Sequence, residues 1–102
     1  MASSLELRQV RYFIAVAQER GFGRAAERLR IAQSAVSTQI KALERLMGVT
    51  LFDRDARPVE LTPAGGVFLD HALRLLDLAE RAVFRTRLAA TEQREGMSQS
   101  TS

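Results

Sequence analysis

Between Gln33 and Lys41 the chain sets Gln33, Ser34, Ala35, Ser37, Thr38 and Lys41 around the apolar residues Val36 and Ile40. When Val36 and Ile40, with Leu43 and Met47, face a core at helical spacing, the other six are left on the exposed side of one helix. They are small or hydrogen-bonding groups. A Gln amide can pair with adenine, hydroxyls can serve several bases, and an alanine methyl can touch that of thymine, so such a face can approach base edges closely. A helix facing only solvent more often carries Glu and Lys at these positions. A second group, Arg54, Arg57 and Pro58, lies in the stretch Asp53-Arg54-Asp55-Ala56-Arg57-Pro58. The planar fork of arginine donates two parallel hydrogen bonds to phosphate or guanine. Arg57 is placed for phosphate or a narrow minor groove, and Arg54 is the more structural of the two. The plainer alternative pairs both with Asp53 and Asp55. Gln39 projects from the same helix and bonds either the protein itself or an outside partner.

The elements that must hold these groups follow from apolar spacing. Leu7, Val10, Phe13, Ile14 and Ala17 form an amphipathic stripe, which predicts a first helix from about Glu6 to Arg20 with Gly21 ending it. A second, short helix is predicted from Arg24 to about Arg30, with Ala25, Ala26 and Leu29 inward. The helix bearing the polar face comes third, and Gly48 supplies its left-handed terminus. Val49-Thr50-Leu51-Phe52 and Val59-Glu60-Leu61 read as a small hairpin with a charged tip. Thr62-Pro63 puts a capping hydroxyl before a proline at the first helical position, starting a long fourth helix expected to reach about Gln93. Its Leu69, Ala72, Leu76, Ala79 and Val83 are spaced as a heptad seam, which Leu73, Leu75, Leu78 and Phe84 widen. Unpaired, that stripe would leave apolar area in water, so Leu69, Ala72, Leu73, Leu76, Ala79 and Val83 are the expected dimer interface. By this reading, removing the chain after Gly66 leaves a folded but mostly monomeric domain. The polar end is expected to be disordered.

Bulk properties narrow the function classes. With 102 residues, 46% hydrophobic and 26% charged, the chain fits one small domain with a modest core. Net charge is only +3, but ten Lys and Arg face seven Asp and Glu through Gly66, against five and five from Val67 onward. The excess positive charge therefore sits with the polar helix face and the hairpin, where a polyanion would be met. No cysteine and a single histidine, His71, leave no thiolate, disulfide or cysteine-ligated zinc and little for acid-base work. His71 reads as a surface or seam residue. No nucleophile and base pair or phosphate loop is found, so neither an enzyme, a metal nor a cofactor is expected. No apolar run approaches the roughly 20 residues of a membrane span, and the start lacks the pattern of an export signal. A cytoplasmic protein is expected.

The order helix, short helix, tight turn, helix, hairpin is that of a winged helix-turn-helix. From Leu7 to Gly65 the sequence resembles the N-terminal domain of the LysR-type transcriptional regulators, through RAAERL, Q-x-A-V-S-x-Q-I-x-x-L-E, LF-x-R and LT-x-AG in that order. The resemblance implies bacterial origin, a three-helix core with a β-hairpin wing, a recognition helix beginning near Gln33, and a linker helix that pairs antiparallel in a dimer. Two positions depart from the family: Ser34 stands where a proline is usual, and Gly23 where a serine or threonine usually starts the second helix. Members normally continue into a small-molecule sensing domain, so no effector is expected for this chain, whether an excised domain or a short regulator.

The expectation is thus a mainly α protein, with a winged helix-turn-helix over residues 1–62, a dimerisation helix over 63–95 and a disordered tail over 96–102. Gln33, Ser34, Ala35, Ser37, Thr38, Lys41, Arg54, Arg57 and Pro58 would contact double-stranded DNA. The partners would be DNA, a second copy or a higher homo-oligomer, and RNA polymerase. The alternative is an interaction module whose long helix pairs with a full-length relative and inhibits it.

Overall fold

Phe13 shows why the first helix is central. In the computed structural model, which describes residues 4–100 and their side chains through residue 95, α1 (Leu7–Glu19) buries Val10, Phe13, Ile14, Ala15 and Val16. It packs against α2 (Phe22–Leu29), α3 (Gln33–Met47) and α4 (Pro63–Ser100). Three neighbours explain why Ala15 and Val16 are buried beyond the expected stripe, while Leu7, in the first turn, stays exposed. Gly21 does not end this helix. Arg20 does, in the left-handed conformation at φ 59°, donating its N–H to the Val16 carbonyl at 2.8 Å. Gly21 is extended and starts α2, so that helix begins at Phe22 rather than Arg24. Gly23 therefore lies inside α2, and the start without a side-chain cap is Gly21. Ala25 and Ala26 are buried, and their small size lets α2 pack close.

In α3, Val36, Ile40 and Leu43 are buried and Met47 half-buried, and Gly48 ends the helix at φ 71°, as the spacing predicts. The hairpin is shorter than its apolar runs suggest. Only β1 (Phe52–Asp53) and β2 (Glu60–Leu61) pair, antiparallel, with Phe52 opposite Leu61 and Asp53 opposite Glu60. The flanking residues make other bonds: Val59 N–H donates to the Arg20 carbonyl at 3.2 Å and Thr62 N–H to the Leu51 carbonyl at 3.0 Å. The Thr62 hydroxyl accepts the Gly65 N–H at 3.0 Å and donates to the Thr50 carbonyl at 2.6 Å, capping α4 and tying its start to the hairpin.

The heptad positions of α4 point elsewhere than their spacing suggested. Ala72 is fully buried in its own domain, and Leu69 and Leu76 are half-buried against the same core. This half of the seam thus serves the protomer, and Ala72 has no surface to offer a partner. Phe68 meets Phe13 edge-on with centroids 4.8 Å apart. The core accordingly extends past residue 62, and a chain ended at Gly66 loses Phe68, Leu69, Ala72 and Leu76 from it. That weighs against the expected folded remainder. The backbone of α4 stays helical to Ser100, beyond the expected end at Gln93 and into the segment expected to be disordered. No proline interrupts it, and extending a formed helix is easier than starting one. Thr101 and Ser102 lie outside the described residues.

Gly65 stands where α4 crosses the entry to β1. A Cβ there would run into the Leu51 carbonyl oxygen and come within 3.0 Å of the Leu61 side chain. Gly66 has open space. Alanine in a helix ordinarily stabilises by about 0.5–1 kcal/mol over glycine, so the two substitutions should differ in sign. Gly66→Ala should raise stability by that amount, and Gly65→Ala should lower it by about 1–3 kcal/mol through overpacking against backbone. Urea unfolding at one fixed protein concentration measures both.

Candidate nucleic-acid interface

The first turns of α3 present Gln33, Ser34, Ala35, Thr38 and Lys41 to solvent, with Ser37 half-buried. α3 starts after Ala32, which offers no side-chain cap. The Gln33 amide oxygen instead stands 3.4 Å from where a Cβ on Gly23 would lie. A Cβ on Gly23 would thus only reach ordinary contact with Gln33 beside α2.

Beside this face α3 and the hairpin enclose an open cleft of about 530 Å³. It is lined by Gln33, Ser37, Lys41, Arg54, Arg57 and Pro58, six of the nine residues singled out by sequence, together with Arg20 and Phe22. Ser34, Ala35 and Thr38 are not among the lining residues. They lie further round the exposed surface of α3. Four cations line the cleft; Arg54 pairs with Glu44 and Arg20 with Glu60, and Lys41 and Arg57 have no ion pair among the described residues, so an excess of positive charge remains to favour an anion.

The two hairpin arginines divide as their environments dictate. Arg54 pairs with neither Asp53 nor Asp55. Its Nη1 donates to Glu44 Oε2 at 3.2 Å, its Nη2 lies 3.2 Å from Oε1 without a hydrogen-bonding angle, and its guanidinium stands 5.1 Å from the Phe22 ring centre. The same carboxylate accepts the Leu51 N–H at 2.8 Å. Arg54 was included among the DNA-contact residues. Its guanidinium is engaged in tying the wing to α2 and α3, and its donors face Glu44. Arg57 is exposed, and its Nη1 donates to the Arg54 and Ala56 carbonyls. Those bonds organise the wing tip and leave the rest of its fork to solvent. Asp53 turns to its own strand, accepting the Asp55 N–H at 3.0 Å. Gln39 bonds the protein: its amide oxygen accepts from Gln9 Nε2 at 3.4 Å.

Sequence reasoning missed Arg20 and Phe22. Arg20 falls at the expected end of the first helix, where no role attaches to its side chain. Phe22 falls between Gly21 and the expected start of the second helix at Arg24, although an aromatic directly after that glycine is a signal for packing. Among the described residues no group of His, Cys, Asp or Glu is placed to hold a metal ion, and no helix is long and apolar enough to cross a membrane. His71 is exposed on α4.

Residues 7–66 match the model of the bacterial regulatory helix-turn-helix proteins of the lysR family. The chain belongs to the LysR family. It carries that family's helix-turn-helix DNA-binding domain, and the family consists of transcription regulators rather than enzymes. It is 54% identical over 86 residues to the HTH-type transcriptional regulator TfdT of Cupriavidus pinatubonensis, covering 84% of this chain and 38% of TfdT. It is 50% identical over 91 residues to the Hca operon transcriptional activator HcaR of Escherichia coli, covering 89% of this chain and 31% of HcaR. The chain thus spans about a third of the length of these curated relatives. Among solved structures, the BenM DNA-binding domain in complex with catB site 1 DNA superposes with a TM-score of 0.83 at 43% identity, covering 84% of this chain and 97% of that one. The CbnR DNA-binding domain in complex with DNA gives 0.81 at 46% identity, covering 84% and 99%. These likenesses confirm three helices, a small antiparallel hairpin and a long helix as the LysR domain fold.

The division between the two arginines is measurable. Arg54→Ala strands the Glu44 carboxylate, whose side chain is only 13% exposed, and should lower stability by about 1.5–3 kcal/mol. Arg57→Ala, at an exposed tip, should change it by about 0.5 kcal/mol or less. Chemical denaturation of both variants checks the assignment, and equal losses would contradict it.

Proposed function

We propose that the chain binds double-stranded DNA with sequence preference as a homodimer and so regulates transcription in the bacterial cytoplasm. In this reading the start of α3 enters the major groove and the wing follows the phosphate backbone. The observation that carries it is the exposed Gln33, Ser34, Ala35 and Thr38 face beside a cleft lined by four cations, two of them paired with carboxylates. The solved complexes of the BenM and CbnR domains with DNA support it. Small groups at a helix start suit base reading, because the backbone must come close for short side chains to reach base edges. Ser34, with its hydroxyl and free N–H in place of the usual proline, adds a donor at that start.

Support for the dimer comes from α4. After its inner stripe is used by the core, Leu73, Leu78, Val83, Phe84 and Leu88 remain exposed, Leu78 and Phe84 at 60% and 63%. Ion pairs Asp70 with Arg74 at 3.2 Å and Asp77 with Arg81 at 3.0 Å lie among them on the exposed side of the helix, since Leu73, Phe84 and Leu88 stand three, four or seven residues from these charges. Apolar residues in this number exposed along one helix suit a second copy. A paired helix also sets two recognition helices about one DNA turn, or about 34 Å, apart, which suits a two-fold operator.

Selection of binding sequences from a random duplex library with the purified chain tests the reading, and retention of no sequence at physiological salt would sink it. On the selected operator, Gln33→Ala should cost about 1–3 kcal/mol and much less on unrelated DNA, so the ratio of the two affinities should shrink. Arg57→Ala should instead weaken binding to all sequences alike and make the salt slope shallower by about 0.9. Anisotropy titrations across salt separate the two behaviours.

The assembly has its own check. Phe84→Glu places a charge on the exposed apolar face without touching the core. It should shift sedimentation from dimer to monomer at micromolar concentration and weaken operator binding, while the helical circular dichroism persists. A dimer that survives both Phe84→Glu and Leu78→Glu would exclude this face as the interface.

A further inference from the structure

We infer that Arg20 is a phosphate-contacting residue of the interface, acting at the same cleft as Lys41 and Arg57. The inference rests on the DNA-binding reading above and adds a residue that neither spacing nor motif assigned. Arg20 has φ 59°, a left-handed conformation in which glycine is favoured and a side chain is strained. The fold needs the conformation, since α1 must turn into α2 within Arg20 and Gly21. It does not need the arginine. The side chain is 55% exposed, and its one ion pair, with Glu60 at 3.6 Å, involves a partner 61% exposed, an arrangement that adds little stability. Arg30 ends α2 in the same conformation, so what distinguishes Arg20 is a long, exposed cation with little structural employment beside a cleft.

The surroundings name the ligand. Arg20 lines the cleft with Gln33, Ser37, Lys41, Arg54 and Arg57, and the carboxylate that meets it, Glu60, is itself exposed. Arg54 is neutralised by Glu44, so the charge available to an incoming polyanion comes from Arg20, Lys41 and Arg57. The Arg20 carbonyl accepts the Val59 N–H at 3.2 Å, which fixes the root of this side chain to the wing. Arg20 and Arg57 are thereby held to one structural unit. A DNA phosphodiester reaching the cleft takes the place of Glu60 on the Arg20 guanidinium, exchanging a weak exposed pair for a phosphate whose counterions are released.

Stability and affinity should then move in opposite directions in one variant. Arg20→Gly relieves the left-handed backbone, so its melting temperature should equal or exceed that of the native chain. Its affinity should fall about threefold to fivefold, as for one exposed ionic contact. Because a phosphate carries no sequence information, the loss should be alike on the selected operator and on unrelated duplex, and the salt slope should drop by about 0.9. Arg20→Lys, which keeps charge and strain, should retain most of the slope. Glu60→Gln should strengthen binding in the native background more than in Arg20→Gly. If the native chain binds DNA and Arg20→Gly binds with unchanged affinity and slope, the assignment of Arg20 is overturned while the DNA reading stands. If the native chain binds no duplex, the DNA reading itself fails and takes the assignment with it. Should Arg20→Gly not fold, Arg20→Gln provides the same affinity and slope comparison.

Discussion

The wing of this protein is held by the ring of Phe52. It is buried to 1% exposure, with its centroid 5.1 Å from that of Phe13 in α1 and 5.7 Å from that of Phe22 at the start of α2. A hairpin with only two paired positions cannot hold its own shape in water. Its geometry is imposed by anchoring one side chain in the helical core, where an aromatic buries a large area and constrains ring orientation. Arg54 follows two residues later and closes over Phe22 from outside, reaching Glu44 on α3. Rings and carboxylate together join α1, α2, α3 and β1. Every cleft residue, from Gln33 to Pro58, takes its place relative to that junction.

Glu44 illustrates how a polar group can serve a small core. Its carboxylate accepts the Leu51 N–H, which the short hairpin leaves without a strand partner, and the Arg54 guanidinium. A buried N–H left unsatisfied costs as much as several favourable contacts return, so the carboxylate determines where the chain can leave α3 and enter β1. The same economy governs α4. One side of the helix completes the protomer core through Phe68, Leu69, Ala72 and Leu76, and its exposed side carries the ion pairs together with apolar residues. A helix that completes the core of the domain before it cannot be divided cleanly into domain and linker.

Much of this could be read from the chain. The stripes Val10, Phe13, Ile14 and Val36, Ile40, Leu43 fix two helices and their inward faces, because a period of 3.6 residues is a local property of the backbone. Gly48 and the Thr62-Pro63 pair marked a helix end and a helix start for equally local reasons, a left-handed φ and a hydroxyl able to accept an N–H. The polar face from Gln33 to Lys41 was legible because subtracting the core stripe leaves nothing else. The short junction at Arg20 and Gly21 was misread. Glycine is the usual left-handed residue, but here Arg20, whose carbonyl accepts the Val59 N–H, takes that conformation and Gly21 is extended.

What the sequence determined by itself was therefore the set of helices, the polar surface of α3 and the family to which its motifs belong, since all of these rest on spacing along one element. Only the tertiary structure decided which partner each charged or apolar side chain meets. Arg54 has two aspartates beside it in sequence and pairs with Glu44, because the hairpin folds back onto α3. Ala72 has the spacing of a dimer seam and is buried in its own domain, because α1 lies across it. Arg20 has no motif and stands in the cleft, because the turn that carries it is bonded to the wing. Each of these is a choice among neighbours far apart in the chain, and periodicity within one element holds no information about what packs against it.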